Sequence, residues 1–237
     1  MINLLGLLSE CLLCGHQPND NSHLCSQCHG ALAFALNPCL RCGIELHATL
    51  GSRVCGQCLK IPPRIDYCHP VLRYHFPVPR LISHFKDHAQ FAQGQLLAQL
   101  LAQSIKEKND ADSSPSLLVS VPLHKSRIRK RGFNQSAIIA KTIASHCGIT
   151  YASDLCSRRH NTPTQRGLDK SARQRNLKNA FSITPNNAQI IRDAHIAIVD
   201  DVVTTTSTVN ALAQELKSAG ARTVGVYCLA RVDKPGF

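Results

Sequence analysis

The chain reads as an α/β protein, a parallel sheet flanked by helices, preceded by a small cysteine-rich module. Three observations predict this. Apolar runs of strand length recur at LLVSV (117–121), HIAIVD (195–200) and TVGVYCL (223–229), with helix-like stretches between them. The second run ends in two adjacent carboxylates and a hydroxyl-rich turn leading into a helix, as expected where parallel strands present their carboxyl ends to a ligand. Eight of the twelve cysteines fall before Lys60, all in CxxC pairs, and a segment that short needs metal or disulfides to fold.

The pairs are Cys11/Cys14, Cys25/Cys28, Cys39/Cys42 and Cys55/Cys58, separated by ten, ten and twelve residues. A CxxC turn presents two thiolates, and two such turns complete a tetrahedral S4 site for Zn2+. Eight thiolates therefore imply two structural zinc ions. Sequential pairing gives Cys11/Cys14/Cys25/Cys28 and Cys39/Cys42/Cys55/Cys58; a cross-braced arrangement is the alternative. Binding worth roughly 10–16 kcal/mol per zinc could supply the folding free energy that residues 1–60 lack. A redox CxxC needs one motif within an α/β domain rather than four in series, whereas the spacing leaves iron–sulfur ligation open.

Pro62-Pro63 marks the boundary between a module at 1–60 and a domain at 64–237. Arg64 to Phe76 reads as extended. From Pro79 one long amphipathic helix is expected, carrying Leu81, Ile82, Phe85, Leu96, Leu97, Leu100 and Leu101 and ending in the polar loop KEKNDADSSPS. Pro122 stops the 117–121 strand, and residues 134–146 form a helix with Gly148 as its stop. The stretch 156–181 reads as a mobile basic loop with a helical end, and Ser207–Ala219 as a helix closed by Gly220.

The formal charge of +12 is concentrated: from Leu123 to Phe181, thirteen Lys and Arg face only Asp154 and Asp169. That asymmetry points to an anionic ligand, and phosphate-rich small molecules and nucleic acid both fit. MINLLGLLSE lacks the basic start of a secretion signal, and no run approaches the roughly 18 apolar residues of a membrane span. A cytoplasmic protein without membrane insertion is expected, where CxxC pairs are metal ligands or redox sites rather than disulfides.

At the end of the 195–200 strand, Asp200 and Asp201 could grip vicinal sugar hydroxyls. Thr204, Thr205, Thr206, Ser207 and Thr208, with the N–H groups of the helix they open, could receive a phosphate. The competing reading is an acidic pair that merely caps the helix. Pro122 and Asp200 both end strands, so the basic segment and the acidic pair share one rim.

On these residues the C-terminal two-thirds resembles a type I phosphoribosyltransferase. With the cysteine module as a double zinc ribbon, the whole chain resembles the ComF/GntX family of competence-associated proteins. The resemblance rests on the four CxxC pairs, SVPLHKSRIRKRGFNQS (120–136), TPTQRGLDKSARQRNLKNAF (162–181) and VDDVVTTTST (199–208). It implies phosphoribosyl pyrophosphate, carried with Mg2+, as the ligand of Asp200, Asp201 and the 204–208 loop. It implies further that Lys125, Arg127, Arg129 and Arg131 approach the pyrophosphate, while a loop bearing Arg173 and Arg175 closes over the reaction. Thr206 departs from the family pattern, which has glycine there; a β-branched residue held at positive φ would cost roughly 1–2 kcal/mol. Three functions follow from the resemblance: an Mg2+-dependent phosphoribosyltransferase of undefined acceptor, an accessory for single-stranded DNA serving DNA-uptake proteins, or a non-catalytic adaptor with a degenerate pocket.

Overall fold

A computed structural model describes residues 10–18, 23–46, 51–108, 114–159, 180–184 and 188–233. At the N-terminal side the chain folds twice into the same small unit. The Cys11–Cys14 turn is closed by the Gly15 N–H donating to Cys11 O at 2.8 Å, and the Gly43 N–H repeats this with Cys39 O at 2.8 Å. Gly15 (φ 78°) and Gly43 (φ 72°) supply the left-handed residue each knuckle needs. Each unit continues into a short helix, α1 (Ser26–Gly30) or α2 (Gly56–Lys60). Their N-caps, Cys25 and Cys55, share φ −68° with ψ 159° and 152°.

The main body is a wholly parallel five-stranded sheet in the order β1-β7-β6-β2-β3. The strands are β1 (Tyr67–Arg73), β2 (Leu117–Ser120), β3 (Thr150–Tyr151), β6 (His195–Val203) and β7 (Thr223–Arg231). Central strands covered on both faces must be apolar almost throughout, and Ile196 to Val199 and Cys228 to Ala230 are fully buried. On one face α3 (Val78–His88), α4 (Phe91–Lys108) and α6 (Gln135–Cys147) pack through Phe85, Leu97, Leu101, Ile139 and Ile143. The other face carries α8 (Ser207–Ser218) with Leu212 and Leu216, and the antiparallel pair β4 (Cys156–Arg158) and β5 (Phe181–Ile183). Two short helices, α5 (Lys125–Arg131) and α7 (Ala188–Ile191), complete the described elements.

The segment between the two cysteine units lies along the outer edge of β1. Ala35 N–H donates to Val71 O at 3.0 Å, Arg73 N–H donates to Ala33 O at 2.7 Å, and Phe34 pairs antiparallel with Leu72. No helix among the described residues is long and apolar enough to cross a membrane.

Two expectations need correction. The single helix from Pro79 is two, α3 and α4, separated at Ala89, which is left-handed at φ 54°, ψ 29°. Gly94 lets α4 lie against α3: a Cβ there would sit 2.4 Å from the Phe85 ring. The extended run 64–76 is a strand only over Tyr67–Arg73. The basic residues after Leu123, to which the sequence assigns no element, form the helix α5, capped by the His124 side chain accepting from Ser126 N–H and ended by left-handed Gly132 (φ 87°). The helical end expected within 156–181 falls on residues outside those described, and the described flanks are β4 and β5.

Candidate functional site

Parallel pairing of β6 with β2 and β7 carries Asp200 and Asp201 to the carboxyl edge of the sheet. Both are buried, at 9% and 4% exposure, so each requires partners. Lys86 from α3 donates to Asp201 Oδ2 at 2.7 Å, and Asp200 Oδ1 accepts from Ser136 Oγ at 3.1 Å and Asp201 N–H at 2.9 Å.

The two carboxyls are pushed apart by these surroundings. Burial and then the adjacent charge of Asp201 push Asp200 up to about 8. Burial acts in the same sense on Asp201, but the charge and hydrogen bond of Lys86 outweigh it and hold Asp201 below the ordinary carboxylate value. Burial would depress Lys86, yet attraction to Asp201 and Asp200 keeps its ammonium above normal. Asp200 therefore holds its proton more tightly than Asp201, whose charged form Lys86 favours.

The RGFNQS motif builds the wall beside them. Gly132 ends α5 and Phe133 stacks near Phe85 and Phe91, with ring centroids at 5.6 and 5.0 Å. The Asn134 side chain caps α6, accepting from Ser136 N–H at 3.0 Å and donating to Val121 O at 3.1 Å. Arg131 donates to Gln135 Oε1 at 2.6 Å. The motif thereby ties the end of β2 to α6 and aims Ser136 at Asp200.

Beyond Val203 the chain enters α8 through the hydroxyl turn. Thr206 is the N-cap at φ −70°, ψ 7°, so it bears no left-handed strain. Its Oγ1 accepts from Asn210 Nδ2 at 3.0 Å and makes no capping bond, which leaves the first-turn N–H groups of α8 untaken by their own cap. Thr205 Oγ1 donates to Ser207 Oγ at 3.1 Å, and Thr204 is exposed.

Among the basic candidates, Arg127 and Arg131 are half-buried and Lys125 and Arg129 are exposed. Burial, then repulsion from Arg131, depresses Arg127. Burial and then Arg127 depress Arg158, which feels an opposing pull from Asp200. Lys86 and Arg158 thus feel the acidic pair, while Arg131 repels Lys86 and Arg127, and Arg127 repels Arg158. Arg173 and Arg175 lie outside the described residues. Lys86, Ser136 and Arg158 are additions to the residues expected. Ser136 sits inside a motif whose basic residues alone drew notice, while Lys86 carries no local signal.

The eight paired cysteines gather into two sets, Cys11/Cys14/Cys25/Cys28 and Cys39/Cys42/Cys55/Cys58, with the sulfurs of each set within 4.8 Å of one another. A tetrahedron with roughly 2.3 Å metal–sulfur bonds has edges of about 3.8 Å. The Cys14–Cys25 and Cys42–Cys55 sulfurs stand 3.9 and 3.7 Å apart, so the donors fit a double zinc ribbon with sequential pairing. The second set is wholly buried, while Cys14 of the first is exposed. A cleft of about 500 Å3, lined among others by Asn37, Arg53, Tyr67, His69, Lys108 and Tyr227, lies between the ribbons and the sheet and includes none of the acidic pair or hydroxyl turn.

A parallel sheet that ends in an acidic pair and a hydroxyl turn defines a phosphoribosyl transferase domain, and the model of that domain matches residues 89–236. With its two four-cysteine ribbons, the chain belongs to the ComF/GntX family of competence protein F-like proteins. It is 37% identical over 98% of its length to the DNA utilization protein YhgH of Salmonella typhimurium, covering 99% of that protein. It is 35% identical to DNA utilization protein YhgH of Escherichia coli K12, over 98% and 99% of the two chains. Competence protein F of Haemophilus influenzae is 32% identical, over 94% and 96%.

Proposed function

We propose that the chain binds phosphoribosyl pyrophosphate with Mg2+ at the rim between Asp200 and Thr208, and serves DNA uptake or utilisation. The observation that carries this reading is the buried acidic pair, the Lys86 cation on Asp201, and the hydroxyl turn into which the same strand runs. A phosphorylated sugar carrying pyrophosphate needs all three. The role in DNA utilisation rests on the relatives' names.

In this reading Asp200 and Asp201 accept the 2′ and 3′ hydroxyls, and Thr204, Thr205, Thr206, Ser207 and Thr208 receive the 5′-phosphate. Lys125, Arg127, Arg129 and Arg131 face the pyrophosphate, joined by Arg173 and Arg175. As pyrophosphate leaves C1, negative charge accumulates on it, and cations held in place lower the barrier. Mg2+ travelling with the ligand would add charge at the pyrophosphate. The two ribbons each hold a structural Zn2+ whose fourfold ligation leaves no open position.

A second reading is favoured by the Lys86–Asp201 pair, which engages one carboxylate in the free protein. There the pocket senses a nucleotide-like regulator and never turns it over. A thermal shift with phosphoribosyl pyrophosphate and Mg2+, on wild type and Thr206→Gly, tests the first reading. Ligand at 100 times its dissociation constant should add about 2.7 kcal/mol of stability. No response from either protein removes the pocket assignment; a response without release of pyrophosphate favours the sensor.

A further inference from the structure

Arg231, the last residue of β7, is 2% exposed and pairs with no carboxylate among the described residues. Its charge is instead spread over backbone carbonyls. Nε donates to Cys42 O at 2.7 Å, while Nη1 donates to Val203 O at 2.9 Å, Thr204 O at 2.7 Å and Val232 O at 2.7 Å. Cys42 belongs to the second cysteine set, and Val203 and Thr204 open the hydroxyl turn. One guanidinium thus spans from the metal knuckle to the turn. A second tie runs in parallel: Asn210 holds Thr206 Oγ1 and accepts from Arg64 N–H at 2.9 Å, six residues beyond Cys58. The first set packs elsewhere, with Cys11 and Cys28 in the core beneath α3 and α4.

We propose that Arg231 is a positioning residue that couples metal occupancy of the Cys39/Cys42/Cys55/Cys58 site to the geometry of the 203–208 turn. The coupling to ligand rests on the reading of that turn as a phosphate site; the coupling to metal does not. With metal bound, four sulfurs fix the knuckle and hence the Cys42 carbonyl. Without it that acceptor drifts, and a buried guanidinium short of an acceptor draws on its remaining partners, Val203 O and Thr204 O. Linkage is reciprocal, so an anion that orders the turn must tighten the second metal and leave the first untouched.

The test uses the full zinc-loaded chain. Hydrogen exchange of amides 204–208 is followed as a chelator withdraws zinc, with Cys11→Ser and Cys39→Ser variants assigning each release phase to a site. Exchange should rise about tenfold, inside the usual range for linked sites, on loss of the second zinc and stay level on loss of the first. In Arg231→Lys, which keeps the charge but cannot span both sides, loss of the second zinc should raise exchange at 204–208 by clearly less than in wild type, the Asn210 tie alone remaining. In wild type, phosphoribosyl pyrophosphate with Mg2+ should slow release of the second zinc alone. Unchanged exchange in wild type, an equal response to either zinc, or an equal response in Arg231→Lys overturns the coupling. Failure of phosphoribosyl pyrophosphate to bind, with the exchange pattern intact, overturns the ligand reading instead.

Discussion

Asp200 and Asp201 are neighbours in sequence whose proton affinities are pushed in opposite directions. Asp200 is raised to about 8, so its contribution to stability is complete below the unfolded carboxylate value and is lost as pH climbs through 8. Asp201 is depressed, so its contribution is present above the unfolded value and lost as pH falls. Asp200→Asn mimics the protonated form. It should remove the loss of melting temperature between pH 5 and 8 that is expected of the wild type, while abolishing the thermal response to phosphoribosyl pyrophosphate. A steeper pH dependence in the variant would contradict the assignment. Lys86→Met leaves Asp201 buried without its cation; because Lys86 is 32% exposed, water compensates in part, and a loss of roughly 1–3 kcal/mol is expected in urea titrations at pH 7.

At the scale of elements, the join between α3 and α4 is the most restrictive contact. Gly94→Ala drives a methyl into the Phe85 ring and should cost about 1–3 kcal/mol, seen as a lower denaturation midpoint with unchanged slope. Ala89→Gly should do the reverse by about 0.5–1 kcal/mol, since only Ala89 and Asp193 among described non-glycine residues hold positive φ. This join also shows what the sequence could not reveal. Ala89 is no helix breaker, and the apolar spacing runs through it, so nothing local announces the turn. α6 was legible because its ends carry chemistry, an Asn134 cap and a left-handed Gly148. β6 and β7 were legible because burial on two faces demands unbroken apolar runs. Lys86 was not, since its partner lies 115 residues away on another element. The acidic pair and the hydroxyl turn stand out in the sequence as a candidate site because their chemistry is contiguous, whereas Lys86 meets Asp201 only in three dimensions.

Over the whole molecule, two four-cysteine clusters that fit zinc stand beside one sheet. Chelation should unfold the ribbons outright, since the described residues before Lys60 supply only the small cluster around Ile44 and Leu46 beyond what they lend to the sheet. The chain has no tryptophan, so circular dichroism and limited proteolysis are the appropriate probes, with cleavage expected first in the ribbons. The basic excess predicts that any single-strand affinity falls steeply with salt, the logarithm of the constant dropping linearly with that of salt; salt-insensitive binding would exclude backbone phosphate as the target.

The segment over Ala33–Ala35 that lies against β1 has one more effect. It occupies the backbone groups that a foreign strand would otherwise pair with. Loss of the cysteine units would uncover that edge, so self-association of the chain is the expected outcome of chelation, checked by light scattering.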